Sequence, residues 1–243
     1  MKQPKSQTMT NNEFLSVITE SFKAFLYKGT SRSTDKLKPL HGAIAEDIAF
    51  RLGNGYDVWS KGFYHDSEAD IQGRYINKKV DITIKKNGKP IAGVGVKFVM
   101  QNYSQNSNNY FENMLGETAN IRCNLCPYFQ IFIILDKLPY YRNDKTISKW
   151  ETFSDHNISK YTVLSKDNID LYLHTPNKTL IYVVHLPEPT EPISSHDQYM
   201  EYYKKHLPSL SLTNHQYNEF GSAVILNDYE TFIEKVFHAI KAI

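Results

Sequence analysis

Apolar residues recur at helical spacing from Asn12 to Tyr27 (Phe14, Leu15, Ile18, Phe22, Phe25, Leu26), which predicts an amphipathic helix against a core. After a polar, basic connection from Lys28 to Lys38, Leu40, Ile44, Ile48 and Leu52 mark a second helix. Pro39 suits its first turn and Gly53 its stop. Tyr56 to Arg74 is irregular and polar-aromatic, with one strand expected near Val58. Lys79 to Ile84 then alternates as a strand, Asn87-Gly88 favours a tight turn, and Pro90 to Met100 returns as a more apolar strand. A polar loop is expected from Gln101 to Asn109, a helix from Tyr110 to Arg122, and a buried strand from Tyr128 to Leu135. Farther on, Ile147 to Leu164 reads as helical and Thr179 to Leu186 as another buried strand. Glu188 to Pro192 is a proline-rich connection, and Tyr199 to His206 and Tyr229 to Ile243 are helices. A hairpin followed by a helix and a further strand implies an α/β fold, a mixed sheet with helices on its faces.

The chain has 243 residues, 41% hydrophobic and 22% charged, which suits a single domain with a sizeable core. No run approaches the length of a membrane span, and Met1 to Thr10 lacks the apolar stretch of a signal peptide, so a cytoplasmic protein without membrane contact is expected. Cys123 and Cys126 are the only cysteines and have no second pair, which favours incidental thiols over a zinc or redox site. The net charge is only +2, but its distribution is uneven. Arg74, Lys78, Lys79, Lys85, Lys86, Lys89 and Lys97 stand against Asp81 alone; Lys23, Lys28, Arg32, Lys36 and Lys38 stand against Asp35. Clustered cations of this kind match the phosphates of a nucleic acid. No Walker, dinucleotide-binding or Gly-x-Ser-x-Gly loop is present, and none of the nine histidines has metalloprotease spacing.

The chemistry-bearing pair is Asp81, near the start of one hairpin strand, and Lys97, near the end of the other. A regular hairpin about Asn87-Gly88 sets Asp81 opposite Val94 and puts Lys97 on the other face of the ribbon. A one-residue bulge in the returning strand would make Gly95 the partner of Asp81 and bring Lys97 to the same face. Phosphodiester hydrolysis uses carboxylates to hold a divalent cation and a further cation or base beside the attacking water. Mg²⁺ keeps several waters, so two carboxylates suffice. A lysine in an otherwise apolar strand also needs a partner, because burying an unpaired ammonium is costly.

The Asp entering a hairpin and the lysine on its returning strand resemble the PD-(D/E)xK nuclease superfamily, restriction endonucleases in particular. The likeness runs from about His41 to Leu135. Val80 stands where that pattern has Pro, and Gly95 where it has an acid. In one branch of the superfamily the missing carboxylate comes from the helix after the lysine strand, which here offers Glu112 and Glu117, with a lean to Glu117. The family often adds a glutamate from an N-terminal helix, and Glu46 fits that place.

The resemblance implies a restriction-endonuclease-like mixed sheet with a catalytic hairpin, forming a single nuclease domain over 1–243. Its catalytic core would span about 40–140, and the C-terminal part, about 141–243, would serve DNA recognition or dimerisation. The expected reaction is Mg²⁺-dependent cleavage of double-stranded DNA by a homodimer, with Asp81, Glu117 and Glu112 as metal ligands and Lys97 and Glu46 as further catalytic groups. Asn102, Gln105, Asn106, Asn108 and Asn109 are expected to touch DNA beside the site, and Lys85 and Lys86 to touch phosphates. A repair or structure-specific nuclease, or a binding module whose site has decayed, are the alternatives.

Overall fold

The computed structural model describes residues 8–28 and 34–243, so Met1 to Gln7 and, of the basic connection, Arg32 lie outside the described residues. Helices α1 (Asn11–Lys28) and α2 (Lys38–Leu52), joined through a 3₁₀ turn (Thr34–Leu37), form where the apolar periodicity places them. Then come β1 (Tyr56–Ser60), β2 (Ala69–Gln72), β3 (Asn77–Val80), β4 (Ile82–Lys86) and β5 (Lys89–Val99). They are followed by α3 (Tyr103–Arg122), β6 (Tyr128–Leu135), β7 (Lys137–Tyr141), β8 (Ile147–Thr152) and α4 (Asp155–Leu164). The chain closes with β9 (Lys178–His185), α5 (His196–His206), β10 (Ser211–Leu212), β11 (Val224–Leu226) and α6 (Tyr229–Lys241).

A mixed seven-stranded sheet in the order β1-β4-β5-β6-β9-β10, with β11 also on β9, forms the centre. β1, β4 and β5 are antiparallel, whereas β5, β6 and β9 run parallel. Every residue of β6 is buried, as a central parallel strand covered on both faces requires. On one face Phe14 of α1 meets Tyr182 of β9 edge-on at 4.9 Å and stacks on Tyr229 of α6 at 4.1 Å. On the other, Phe132 of β6 packs against Tyr103 of α3 and Tyr161 of α4. The chain is therefore α/β with helices on both sides of a mixed sheet, and β9 puts the C-terminal part into the same sheet as the hairpin.

Three expectations change. The strand expected from Lys79 to Ile84 is broken at Asp81, where the chain leaves the two-stranded β2-β3 ribbon and enters the central sheet. The polar loop from Gln101 to Asn109 is mostly helix, because α3 begins at Tyr103. Only Met100 to Asn102 connect β5 to α3; Asn102 turns the chain in the left-handed region (φ 51°), and its side-chain oxygen accepts the Tyr141 N–H at 2.8 Å. The helix expected over 147–164 is split: Ile147–Thr152 pairs with β7 as a hairpin, and α4 starts after Ser154, whose N–H is capped by Asn157 at 3.0 Å. A partner strand outweighs weak helical periodicity in those six residues.

Candidate active site

The β4-β5 turn has Asn87 and Gly88 both at positive φ (52° and 76°), the two-residue turn that suits the twist of a hairpin. Pairing starts with Lys86 opposite Lys89 and Lys85 opposite Pro90, then shifts so that Ile84 faces Ala92 and Ile82 faces Val94. Ile91 is thus the extra residue of a bulge in the returning strand. Continuing that register sets Asp81 opposite Gly95, with Lys97 two residues on, along the same face. The neighbouring strand β6 brings Tyr128, Gln130 and Phe132 beside Gly93, Gly95 and Lys97.

Helix α3 crosses this face and encloses a cleft of about 530 Å³, whose walls include Asp81, Lys97, Glu117, Tyr128 and Gln130. Asp81 is fixed from two directions. Its carbonyl accepts the Ser60 hydroxyl at 2.8 Å, and its carboxylate accepts the Val96 N–H at 2.8 Å. Burial drives the Asp81 carboxyl up to about 6; the Val96 N–H and the charge of Lys97 oppose this, and Glu68 adds to it. Lys97 lies with its ammonium 4.4 Å from the centre of the Tyr110 ring. Burial lowers its pKa, and Asp81 holds it up.

Gly95 has a specific reason to lack a side chain. A Cβ there would lie 2.2 Å from the Tyr128 hydroxyl and 2.7 Å from the Gln130 side-chain oxygen. The volume that an acid at position 95 would occupy is filled by these two polar atoms. The Tyr128 hydroxyl in turn donates to Glu117 at 2.9 Å. Glu117 is therefore one hydrogen bond away from the space beside Gly95 that Tyr128 and Gln130 fill, and Lys78 pairs with its other oxygen at 3.3 Å.

The remaining expected residues are distributed differently. Glu112 also borders the cleft but is exposed, and its charge acts on Lys160 of α4. Glu46 does not join Asp81: it lines a separate groove with Val17, Ala43 and Phe50, because it projects from the side of α2 that meets α1. Lys85 and Lys86, on β4, lie over the Trp59 ring at 3.9 Å and the Tyr56 ring at 5.4 Å of the edge strand β1, and neither lines the cleft. Gln105, Asn108 and Asn109 are exposed on the first turns of α3. Asn102 and Asn106 instead serve the local fold, the first through Tyr141 and the second through a 3.5 Å bond to the Asn102 carbonyl. Cys123 and Cys126 are free, and burial pushes the Cys126 thiol up to about 11.

Tyr128, Gln130 and Glu68 were not among the expected site residues. Gln130 carried a readable signal, a lone amide within an apolar strand. Glu68, which pairs with Lys61 at 3.1 Å, lies in the segment read as irregular and carried none.

Among the described residues no three His, Cys, Asp or Glu side chains cluster as a ready-made metal site. Asp81 and Glu117 both border the one cleft, and their carboxylates are hard oxygen donors of the kind a divalent cation such as Mg²⁺ accepts. Among the described residues no helix is long and apolar enough to cross a membrane. Comparison with known protein families, curated proteins and solved structures returned no match.

Proposed function

We propose that the chain is a Mg²⁺-dependent endonuclease of double-stranded DNA, built in the manner of the PD-(D/E)xK nucleases with the second carboxylate on a helix. The observation that carries this reading is the bulge at Ile91, which sets Asp81 and Lys97 on one face beneath Glu117. Asp81 and Glu117 would hold the cation. When bound, Mg²⁺ polarises the phosphoryl oxygen and lowers the pKa of a water. The chain's own groups do the rest. The Val96 N–H orients the Asp81 carboxylate through one oxygen, at the wall of the cleft. Lys97 orients the attacking water and offsets the charge that develops on the phosphate. Tyr128 holds Glu117 at the mouth of the space above Gly95.

Sequence-specific cutting by a homodimer, in the manner of restriction enzymes, is the form of this activity that we favour. Two-fold protein symmetry suits a palindromic site. The test is incubation with unmethylated plasmid and phage DNA in Mg²⁺ and in EDTA. Discrete fragments that require Mg²⁺ are expected, a smear of cuts points to a repair or structure-specific nuclease, and intact DNA refutes the enzyme.

A second reading has one observation in its favour. Glu117 is already paired with Lys78, so its carboxylate must exchange that partner for the cation. A binding module that retains the fold without the chemistry has this same ion pair and binds DNA without cutting it.

Within the enzyme reading, Tyr128→Phe tests how Glu117 is held without removing a ligand. The fold keeps the ring and loses only the bond to Glu117. The Mg²⁺ concentration for half-maximal cleavage should rise about tenfold, in line with other groups that orient a metal ligand. An unchanged Mg²⁺ titration would assign Tyr128 a packing role alone.

A further inference from the structure

The ribbon β2-β3 precedes Asp81 and ends in a turn, Gly73-Arg74-Tyr75-Ile76, beside the cleft. Two large apolar side chains stand out from that turn: Tyr75 is 81% exposed and Ile76 64%. Single exposed apolar residues are ordinary on protein surfaces. This pair differs in three respects.

The turn is held rigidly. The side-chain oxygen of Asn120, a buried residue of α3, accepts the N–H groups of Tyr75 at 2.9 Å and Ile76 at 3.2 Å. Its amide nitrogen donates to the Ile76 carbonyl at 2.9 Å, and its backbone carbonyl accepts the Arg74 N–H at 2.7 Å. Gly73 makes room for this insertion, since a Cβ there would lie 2.0 Å from the Asn120 nitrogen. The turn is also placed at the candidate site. Ile76 and Lys78 form part of the cleft wall, and Asn120 sits three residues after Glu117 on the same helix. Finally, cations border it: Arg74 is exposed in the turn itself, and Lys79 is exposed farther along β3, opposite Asp70.

A largely exposed apolar pair, in a turn fixed to Asn120 by four hydrogen bonds, is organised for a partner. Order present before binding removes the entropic cost of ordering a loop at contact. Cations flanking an apolar tip match the chemistry of a duplex, in which phosphates border stacked bases.

Resting on the DNA reading above, we propose that the β2-β3 turn is a DNA wedge. Tyr75 and Ile76 press against the bases of the duplex held at the cleft, while Arg74 and Lys79 meet the flanking phosphates. The ribbon thereby couples grip on the bases to the placing of the backbone at Asp81.

The experiment compares the full-length chain with its Tyr75→Ser/Ile76→Ser variant. Both side chains point to solvent and the turn is held through backbone groups, so the variant should match the wild type in thermal unfolding. Binding to a mixed-sequence linear plasmid fragment is measured in EDTA across a salt series. The wedge predicts affinity about tenfold weaker, as expected for loss of base stacking. It also predicts an unchanged slope of log affinity against log salt, because an apolar contact releases no counterions. In the same buffer, wild type should unwind closed plasmid relaxed by a metal-independent topoisomerase, and the variant should not. Equal affinity and equal unwinding would overturn the wedge while leaving the DNA reading intact. A loss that comes with a lower salt slope would overturn it too, by assigning the turn an electrostatic role. Failure of wild type to bind DNA would overturn both.

Discussion

Asp81→Asn is expected to abolish Mg²⁺-dependent cleavage while making the protein more stable. The two effects have one cause. Burial raises the Asp81 carboxyl to about 6, against about 3.9 for an aspartate in an unfolded chain. Between those values the folded state binds more protons than the unfolded state, so this group's contribution to stability falls as pH rises from about 4 through 6. Above that range the folded protein carries the full penalty of a buried carboxylate, worth about 1–3 kcal/mol. Asparagine keeps the shape and an oxygen to accept the Val96 N–H, and it has no charge to bury. Chemical denaturation at pH 7.5 should therefore show a gain within that range, and the gain should shrink towards zero near pH 4. Cleavage should fall by roughly 10³-fold or more, since the amide is a poor ligand for Mg²⁺. A destabilised variant, or one that still cuts, would mean that Asp81 serves the fold and not a cation. On the proposed role of Asp81, protons and Mg²⁺ compete in the wild type for the same carboxylate. Cleavage at limiting Mg²⁺ should accordingly decline as pH drops through about 6.

The second large effect distinguishes the two helix glutamates. Glu117→Gln should lower cleavage on the order of 10²–10³-fold, and Glu112→Gln should leave it within about twofold. The difference follows from their surroundings. Glu117 is tied through Tyr128 to the space above Gly95, whereas Glu112 is exposed at the rim beside Lys160. Single-turnover cleavage of plasmid DNA at saturating protein measures this without interference from binding. The opposite pattern would move the second carboxylate one and a half turns along the helix and empty the Tyr128 contact of its role.

These expectations rest on features that were readable to different degrees. The hairpin was legible because Asn87-Gly88 has the chemistry of its turn, with an alternating run before it and an apolar, strand-forming run after it. The bulge was legible only as a requirement: side-chain alternation put Asp81 and Lys97 on opposite faces unless one residue was inserted, and Ile91 is that residue. Tyr128 was hidden for a physical reason. Its hydroxyl matters through its proximity to Gly95 and Glu117, on two other elements, and an aromatic residue opening a buried strand reads as core.

Glu46 shows the converse error. Its place in the chain suited a site residue, but rotation about the α2 axis turned it into the groove beside α1, and no local pattern reports that rotation. The β2-β3 ribbon escaped notice because its strands are four residues each, too short for periodicity to register. The Asn and Gln run was read as loop from its composition. It is helical because exposed amides on α3 have solvent to satisfy them and the turn is complete by Asn102.

The most direct test of the account compares wild type with Lys97→Ala on unmethylated plasmid DNA, in Mg²⁺ and in EDTA. Lys97 borders the same cleft as Asp81 but is no candidate ligand, so its removal leaves both carboxylates in place and takes away only the group proposed to orient the water. The account predicts discrete Mg²⁺-dependent fragments from wild type and a fall of about 10²–10⁴-fold in the variant, with DNA binding retained. Intact DNA with wild type, or equal cutting by both proteins, would contradict it.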